Sequence, residues 1–140
     1  MEKRDYLMHQ IEQMGKVLAQ VVATFLRLKS KGKVDEGIHI CNEQLQNELD
    51  IDMESLARLD KIALKDFFAD RKFTPAHLET LSNYMEEVGK SLDVQEPKRG
   101  IRFLKKAIQI LELADEMTGT FSFERMQRIE SLNKELAERH

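Results

Sequence analysis

Seven apolar positions open the chain at helical spacing. Leu7, Ile11, Met14, Leu18, Val21, Phe25 and Leu28 follow one another at alternating intervals of four and three residues. That is a heptad stripe on one helix face. Met8, Val17, Val22 and Leu26 widen it beyond a coiled-coil seam. The pattern predicts a helix from about Lys3 to Ser30, roughly 40 Å long at 1.5 Å per residue. A helix of that length forms the spine of a domain, pairs with a partner chain, or does both. Lys31-Gly32-Lys33 ends it. Gly32 suits a left-handed cap, and Arg27, Lys29, Lys31 and Lys33 lie near the negative end of the helix dipole.

A second helix is predicted over about Asp35 to Leu49, with Val34, Ile38, Cys41, Leu45 and Leu49 on its buried face. Asp52 and Asp60 are placed to cap two short helices, Met53 to Leu59 and Lys61 to Asp70. The apolar residues of the second, Ile62, Ala63, Leu64, Phe67 and Phe68, are too many for one stripe, so this piece is expected to plug the core. Thr74-Pro75 is a strong helix start, and Leu78, Leu81, Met85, Val88 and Leu92 follow as a stripe. Pro97 opens a long helix to about Met117. Ile101, Leu104, Ala107, Ile108, Leu111 and Ala114 form one apolar face; Phe103, Ile110 and Leu113 form another. A helix apolar on two faces sits in the middle of a bundle. After Thr118-Gly119-Thr120, a last helix from about Ser122 to Glu138 keeps a thin stripe of Met126, Ile129, Leu132 and Leu136, as expected of a cap.

The expected fold is therefore all-α, a right-handed stack of antiparallel helical hairpins with a long N-terminal helix. It makes one domain over 1–140. The first hairpin covers 1–49, a short-helix insertion 50–73, the second hairpin 74–117 and the capping helix 122–140. The two hairpins overlay at an offset of 63 residues, which puts Gly37-Ile38 on Gly100-Ile101, Cys41 on Leu104 and Leu45 on Ile108. Any two amphipathic hairpins overlay to some degree; the shared Gly-Ile is the part that periodicity alone does not produce. Gly100, Leu104 and Ala107 fit the small-x3-large-x2-small spacing of the second helix of tetratricopeptide hairpins. Gly37 and Cys41 fit it too, but Gln44 departs from it, and the closing proline is missing in both halves. The opening Arg4-Asp5-Tyr6-Leu7, with Gln10-Ile11-Glu12-Gln13, resembles the start of a family of uncharacterised bacterial proteins with tetratricopeptide-like helical folds. The likeness is specific over about the first 20 residues and architectural afterwards. It implies an all-helical fold with a long first helix, and no known activity.

Composition narrows the classes of function. A chain of 140 residues is one ordinary domain, large enough to be stable without disulfide or metal. The net charge of -3 gives no basic field for nucleic acid, and no aromatic platform accompanies the bases. The most apolar run, Val17 to Leu26, is too short to span a bilayer and contains Gln20. Met1-Glu2-Lys3-Arg4-Asp5 is not followed closely by a signal-peptide core. One cysteine, Cys41, cannot make an internal disulfide, so a cytoplasmic location is expected.

No catalytic constellation is found. A carboxylate-bridged diiron bundle needs two Glu-x-x-His motifs, and Glu36-Gly37-Ile38-His39 is the single match. His9, His77 and His140 have no acid three residues earlier. Cys41 falls on a buried stripe, where a thiol is an inert small hydrophobe. The six glycines are isolated, so no phosphate loop exists. The acid pairs Glu86-Glu87 and Asp115-Glu116 are read as solvated helix faces. No catalytic residue, metal or cofactor is expected.

One electrostatic feature stands out. Between Val34 and Ala57 the charged residues are all acids: Asp35, Glu36, Glu43, Glu48, Asp50, Asp52 and Glu54. Between Pro97 and Ile110 they are all bases: Lys98, Arg99, Arg102, Lys105 and Lys106. Lys98, Arg102 and Lys105 share one helix face. The expected function is a protein-interaction or scaffold module, with these three residues as its docking face. The partner is a protein, a second copy of the chain included, and neither nucleic acid nor membrane. Two alternatives stay open. One is an enzyme or small-molecule binder using an inter-helical pocket with Tyr6, Tyr84, His77 and His39 as polar members. The other is a structural homodimer through the first helix.

Overall fold

The computed structural model describes residues 2–139, with only the backbone of Glu2. Met1 and His140, the ends of the expected domain, lie outside the described residues. Seven helices make up the regular structure among the described residues: α1 Glu2–Ser30, α2 Val34–Leu49, α3 Met53–Leu56, α4 Lys61–Asp70, α5 Pro75–Ser91, α6 Pro97–Thr118 and α7 Phe123–Glu138. The fold is all-α.

Local chemistry explains most of the boundaries. Asp52 accepts a hydrogen bond from the Ser55 N–H at 3.2 Å and Asp60 from the Ala63 N–H at 2.8 Å. Each satisfies a donor that a helix start leaves free. Thr74 accepts from the His77 N–H, with Pro75 in the first turn of α5. α1 ends as expected at Gly32, with φ of 74°. There the Lys33 N–H bonds to the Leu28 carbonyl and the Gly32 N–H to the Lys29 carbonyl, the paired bonds of a Schellman motif. α3 is shorter than expected. The Arg58 and Leu59 N–H groups bond to carbonyls three residues back, so the chain tightens and leaves the helix after Leu56.

α5 and α6 form the most extensive helix pair. α1 packs on both α2 and α5, α7 closes on α6, α3 touches α2, and α4 rests on α6. α6 is the middle of the bundle, as its two apolar faces predicted. Phe103, Leu104, Ala107, Ile110, Leu111 and Ala114 are all fully buried. Two glycines set the spacing of the central pair. A Cβ on Gly100 would sit 2.8 Å from the Gly89 carbonyl oxygen, and one on Gly89 would sit 2.8 Å from Leu104 Cγ. α5 and α6 therefore touch backbone to backbone where these residues cross. In the first pair, Gly37 holds α2 against Phe25 and Leu28 of α1, with its absent Cβ site 3.2 and 3.3 Å from them.

Three expectations about the core need correction. The first concerns the stripe of α1, which outruns the body that covers it. Leu18, Val21, Phe25 and Leu28 are buried, Ile11 and Met14 are half-buried, and Leu7 is 47% exposed. Met8 and Leu26, expected to widen the stripe, are exposed too. The second concerns α4, which inserts Leu64 and Phe68 but leaves Ile62 facing out, because one short helix has a single inward side. The third concerns α7, which buries Arg125, Leu132 and Leu136 while Met126 is exposed.

The close glycine contacts yield a graded prediction. Gly100→Ala and Gly89→Ala each lower stability by about 1–3 kcal/mol, because the added methyl meets backbone or a packed Leu104. Gly15→Ala meets only the His77 ring at ordinary contact distance, 3.4 Å. It raises stability by up to about 1 kcal/mol through helix propensity. Denaturant unfolding of the three variants checks the order.

Candidate functional site

The five bases at the start of α6 divide once side chains are placed. Arg99 turns inward to Glu54 of α3, with Nε donating to Oε1 at 2.8 Å and Nη2 donating to the same oxygen. Its Nη1 donates to Glu96 at 3.1 Å, and its guanidinium lies 5.7 Å from the Phe103 ring centroid. Lys106 donates to Gln109 at 2.7 Å; partial burial lowers its pKa, and the nearby Asp60 charge opposes that shift. Lys98, Arg102 and Lys105 remain. Lys98 and Lys105 are exposed and Arg102 is half-buried. None of the three is paired with an acid among the described residues. They share the outer face of α6, away from α5.

Their position runs against the helix dipole. Cations are favoured at a helix C-terminus and acids at an N-terminus. α6 has no acid in its first turn and no base in its last. Its bases crowd the N-terminal half, while Glu112, Asp115 and Glu116 lie near the C-terminus. Asp115 is pinned by Arg125, and Lys61 of α4 lies 3.8 and 3.4 Å from Glu112 and Glu116. Lys98, in the first turn, therefore gains nothing from the dipole, and Arg102 and Lys105 lie beyond its reach.

Four of the seven acids of residues 35–54 have partners within the fold. Glu54 holds Arg99, Asp52 caps α3, Asp50 accepts from Gln46 at 3.2 Å, and Glu43 lies 3.3 Å from His39. The contrast of two oppositely charged runs is thus partly an internal contact, between Glu54 and Arg99. The acid pairs elsewhere also require correction, because they are not merely solvated. Glu87 pairs with Lys29 of α1, Glu86 with Lys90 and Arg128, and Asp115 with Arg125.

The four polar residues considered for a pocket are not brought together. Tyr6 is exposed on the uncovered end of α1, and His39 is exposed on α2. Tyr84 is buried, donates to Asn42 at 2.7 Å and meets the Phe25 ring edge-on at 5.7 Å. Burial pushes its phenol well above the usual range. His77 is fixed at the start of α5: Nδ1 accepts from the Thr74 N–H at 3.0 Å, and Nε2 lies 2.9 Å from the Ile11 carbonyl oxygen. The proton therefore sits on Nε2 and is donated across to α1. The Cys41 thiol donates to the Val21 carbonyl at 3.4 Å, and burial raises its pKa to about 11. A thiol so protonated is a poor nucleophile at neutral pH. No group of three or more metal-binding side chains occurs among the described residues. No helix among them is long and apolar enough to cross a membrane.

A groove of about 630 Å³ runs beside the uncovered part of α1, floored by Leu7, Ile11, Met14, Val17, Leu49 and Phe73. None of the four polar residues lines it.

Sequence reasoning missed the arginines of α7. Arg125, 8% exposed, donates from Nε to Asp115 and from Nη1 to Glu79, both at 2.6 Å. It ties α7 to α6 and α5 at once. A signal existed: Arg125, Ile129, Leu132 and Leu136 follow a four, three, four spacing that Met126 does not. Arg139 also went unnoticed. Its Nη1 donates to the Gly89 carbonyl at 2.9 Å, so the end of α7 satisfies the end of α5.

No family model, curated protein or solved structure matches the chain. The site is therefore read from its own geometry.

His77 gives a pH prediction. Burial holds its imidazole below the ordinary value of 6.5, and the Ile11 carbonyl offsets only part of the shift. A protonated ring would point a second N–H at the Thr74 N–H. Below pH 6.5 the unfolded chain takes up a proton that the folded chain refuses. Stability is then fully present above that pH and falls as the pH drops through the folded value. His77→Ala is less stable at neutral pH by about 1–3 kcal/mol. The difference between wild type and variant shrinks in acid, as urea unfolding at several pH values will show.

Proposed function

We propose that the chain is a protein-interaction module and that its docking face is formed by Lys98, Arg102 and Lys105 on α6. One observation carries the reading. Three cations stand together on an outward helix face, unpaired among the described residues, in the N-terminal half of a helix that has no acid in its first turn. They neither belong to the core nor pair with an acid of the fold, which fits a group kept for contact with an acidic partner. Charges so presented speed encounter and select a partner more than they add affinity. The inward-turned Arg99 and Lys106 stay outside the face.

The architecture we propose behind this face is two tetratricopeptide-like hairpins, α1–α2 and α5–α6, with α3 and α4 inserted between them and α7 as a cap. The close approaches at Gly37 and Gly100, at matching places in the two pairs, support it. A single cysteine, buried and with no second cysteine to pair with, suits a reducing compartment, and we place the module in the cytoplasm. A second reading, a homodimer through α1, is favoured by the exposed Leu7, the half-buried Ile11 and Met14, and the groove they line.

The test is affinity capture from the native cell with the variant Lys98→Glu/Arg102→Glu/Lys105→Glu beside the wild type. A partner held by the wild type is lost at least tenfold by the variant. An unchanged set of captured proteins overturns the docking face.

A further inference from the structure

We infer that the basic face of α6 docks on the acidic half of α6 in a second copy of this chain, in an antiparallel, two-fold symmetric pair. The inference rests on the docking face proposed above and names its partner. The outer stripe of α6 reads Lys98, Arg102, Lys105, Gln109, Glu112, Glu116. At 3.6 residues per turn these six fall on one face. Three bases occupy one half, an amide stands near the middle, and two acids occupy the other half. A two-fold axis crossing the helix at the level of Ala107 reverses the order of the partner helix. It then sets Lys98 opposite Glu116 of the partner subunit, Arg102 opposite Glu112 of the partner subunit, and Lys105 opposite Gln109 of the partner subunit. Both cation–acid pairings occur twice, as an isologous interface requires. A parallel pairing would instead set bases against bases.

The acids are available for this. Glu112 and Glu116 share the single cation Lys61, and their side chains stay 44% and 51% exposed. Two acids and one lysine leave a negative balance facing outward. The acidic run of α2 and α3 is a poorer complement: Glu54, Asp52, Asp50 and Glu43 are engaged, and the other three, Asp35, Glu36 and Glu48, are spread around α2 rather than set along one face. The pattern further accounts for the order of charge along α6. Bases at the N-terminal half and acids at the C-terminal half oppose the dipole within one chain, whereas an antiparallel partner brings each half an opposite charge. The seam is polar, so the dimer belongs to the small, weak class of interfaces, below about 1,200 Å². It should also be strongly salt-dependent.

The test uses sedimentation velocity over a range of concentrations, at about 0.01 M and about 1 M salt, where the screening length falls from roughly 30 to 3 Å. The wild type is expected to dimerise at low salt and to be monomeric at high salt. Two charge-reversed chains are then compared: Lys98→Glu/Arg102→Glu/Lys105→Glu, with an all-acidic stripe, and Glu112→Lys/Glu116→Lys, with an all-basic one. Each alone is monomeric at low salt, and an equimolar mixture forms a 1:1 heterodimer. Gln109→Cys keeps every charge, so it guards against misfolding of the reversed chains. A short bis-maleimide links it chain to chain at low salt, and does not link the wild type, whose Cys41 is buried. A wild type that stays monomeric throughout overturns the inference but leaves the acidic-partner reading to the capture experiment. A dimer that both reversed chains retain, or that Gln109→Cys does not trap, places the contact elsewhere, for example on α1. That too overturns the inference.

Discussion

The contact between Gly89 and Gly100 is the constraint on which the rest of the molecule depends. With no side chain on either residue, the backbones of α5 and α6 meet where they cross. α6 then lies deep enough to be covered by α5 on one side, α7 on another and α4 on a third. Only a narrow strip of it is left facing out, and that strip carries the charges discussed above. A methyl group at either glycine would push the two helices apart and loosen the seats of Leu104 and Leu92. Arg139, which reaches the Gly89 carbonyl from the end of α7, finds its acceptor through the same close approach.

Around this pair the molecule is held by apolar burial inside and by arginines at the seams. Arg99, Arg125, Arg128 and Arg139 each cross between helices, and each bonds to groups more than forty residues away in sequence. Arginine suits this work because its planar fork holds two acceptors at once while its stem packs on apolar surface. Ion pairs at exposed positions add little stability singly. Those of Arg125 are different: a guanidinium almost out of water, bonded to two carboxylates, cannot lose a partner cheaply. The consequence for function is selective. Many other charges of the chain are unpaired too; what sets Lys98, Arg102 and Lys105 apart is that they lie together on one helix face with no acid among them.

Much of the architecture was legible in the chain. The stripes at four and three spacing marked each long helix, and Asp52, Asp60, Thr74-Pro75 and Gly32 marked ends that the structure places within a residue or two. These are local signals: a cap and its N–H lie three residues apart, and an apolar stripe needs only its own helix. The errors share a cause. Leu7 satisfies the stripe of α1 as well as Leu18 does, and Met8 flanks it as Val17 does, yet the body of the fold leaves both largely exposed. Arg125 was passed over because a charged residue on an apolar stripe reads as a break in it. Its buried place depends on Asp115 and Glu79, and no periodicity reveals those partners.

The candidate site shows the same division. From the sequence alone came the fold class, the helix order, the presence of an acid-free basic run and the shared face of Lys98, Arg102 and Lys105, since all of these follow from spacing along one helix. Tertiary structure alone decided which of the five bases are free. Arg99 is claimed by Glu54, forty-five residues earlier, and Lys106 is drawn in beside Gln109, so the run is reduced to three. Helical periodicity determines the direction in which a side chain leaves its helix. What it meets there depends on how distant segments pack, and in this chain that packing is set first by two glycines that let α6 come close to α5.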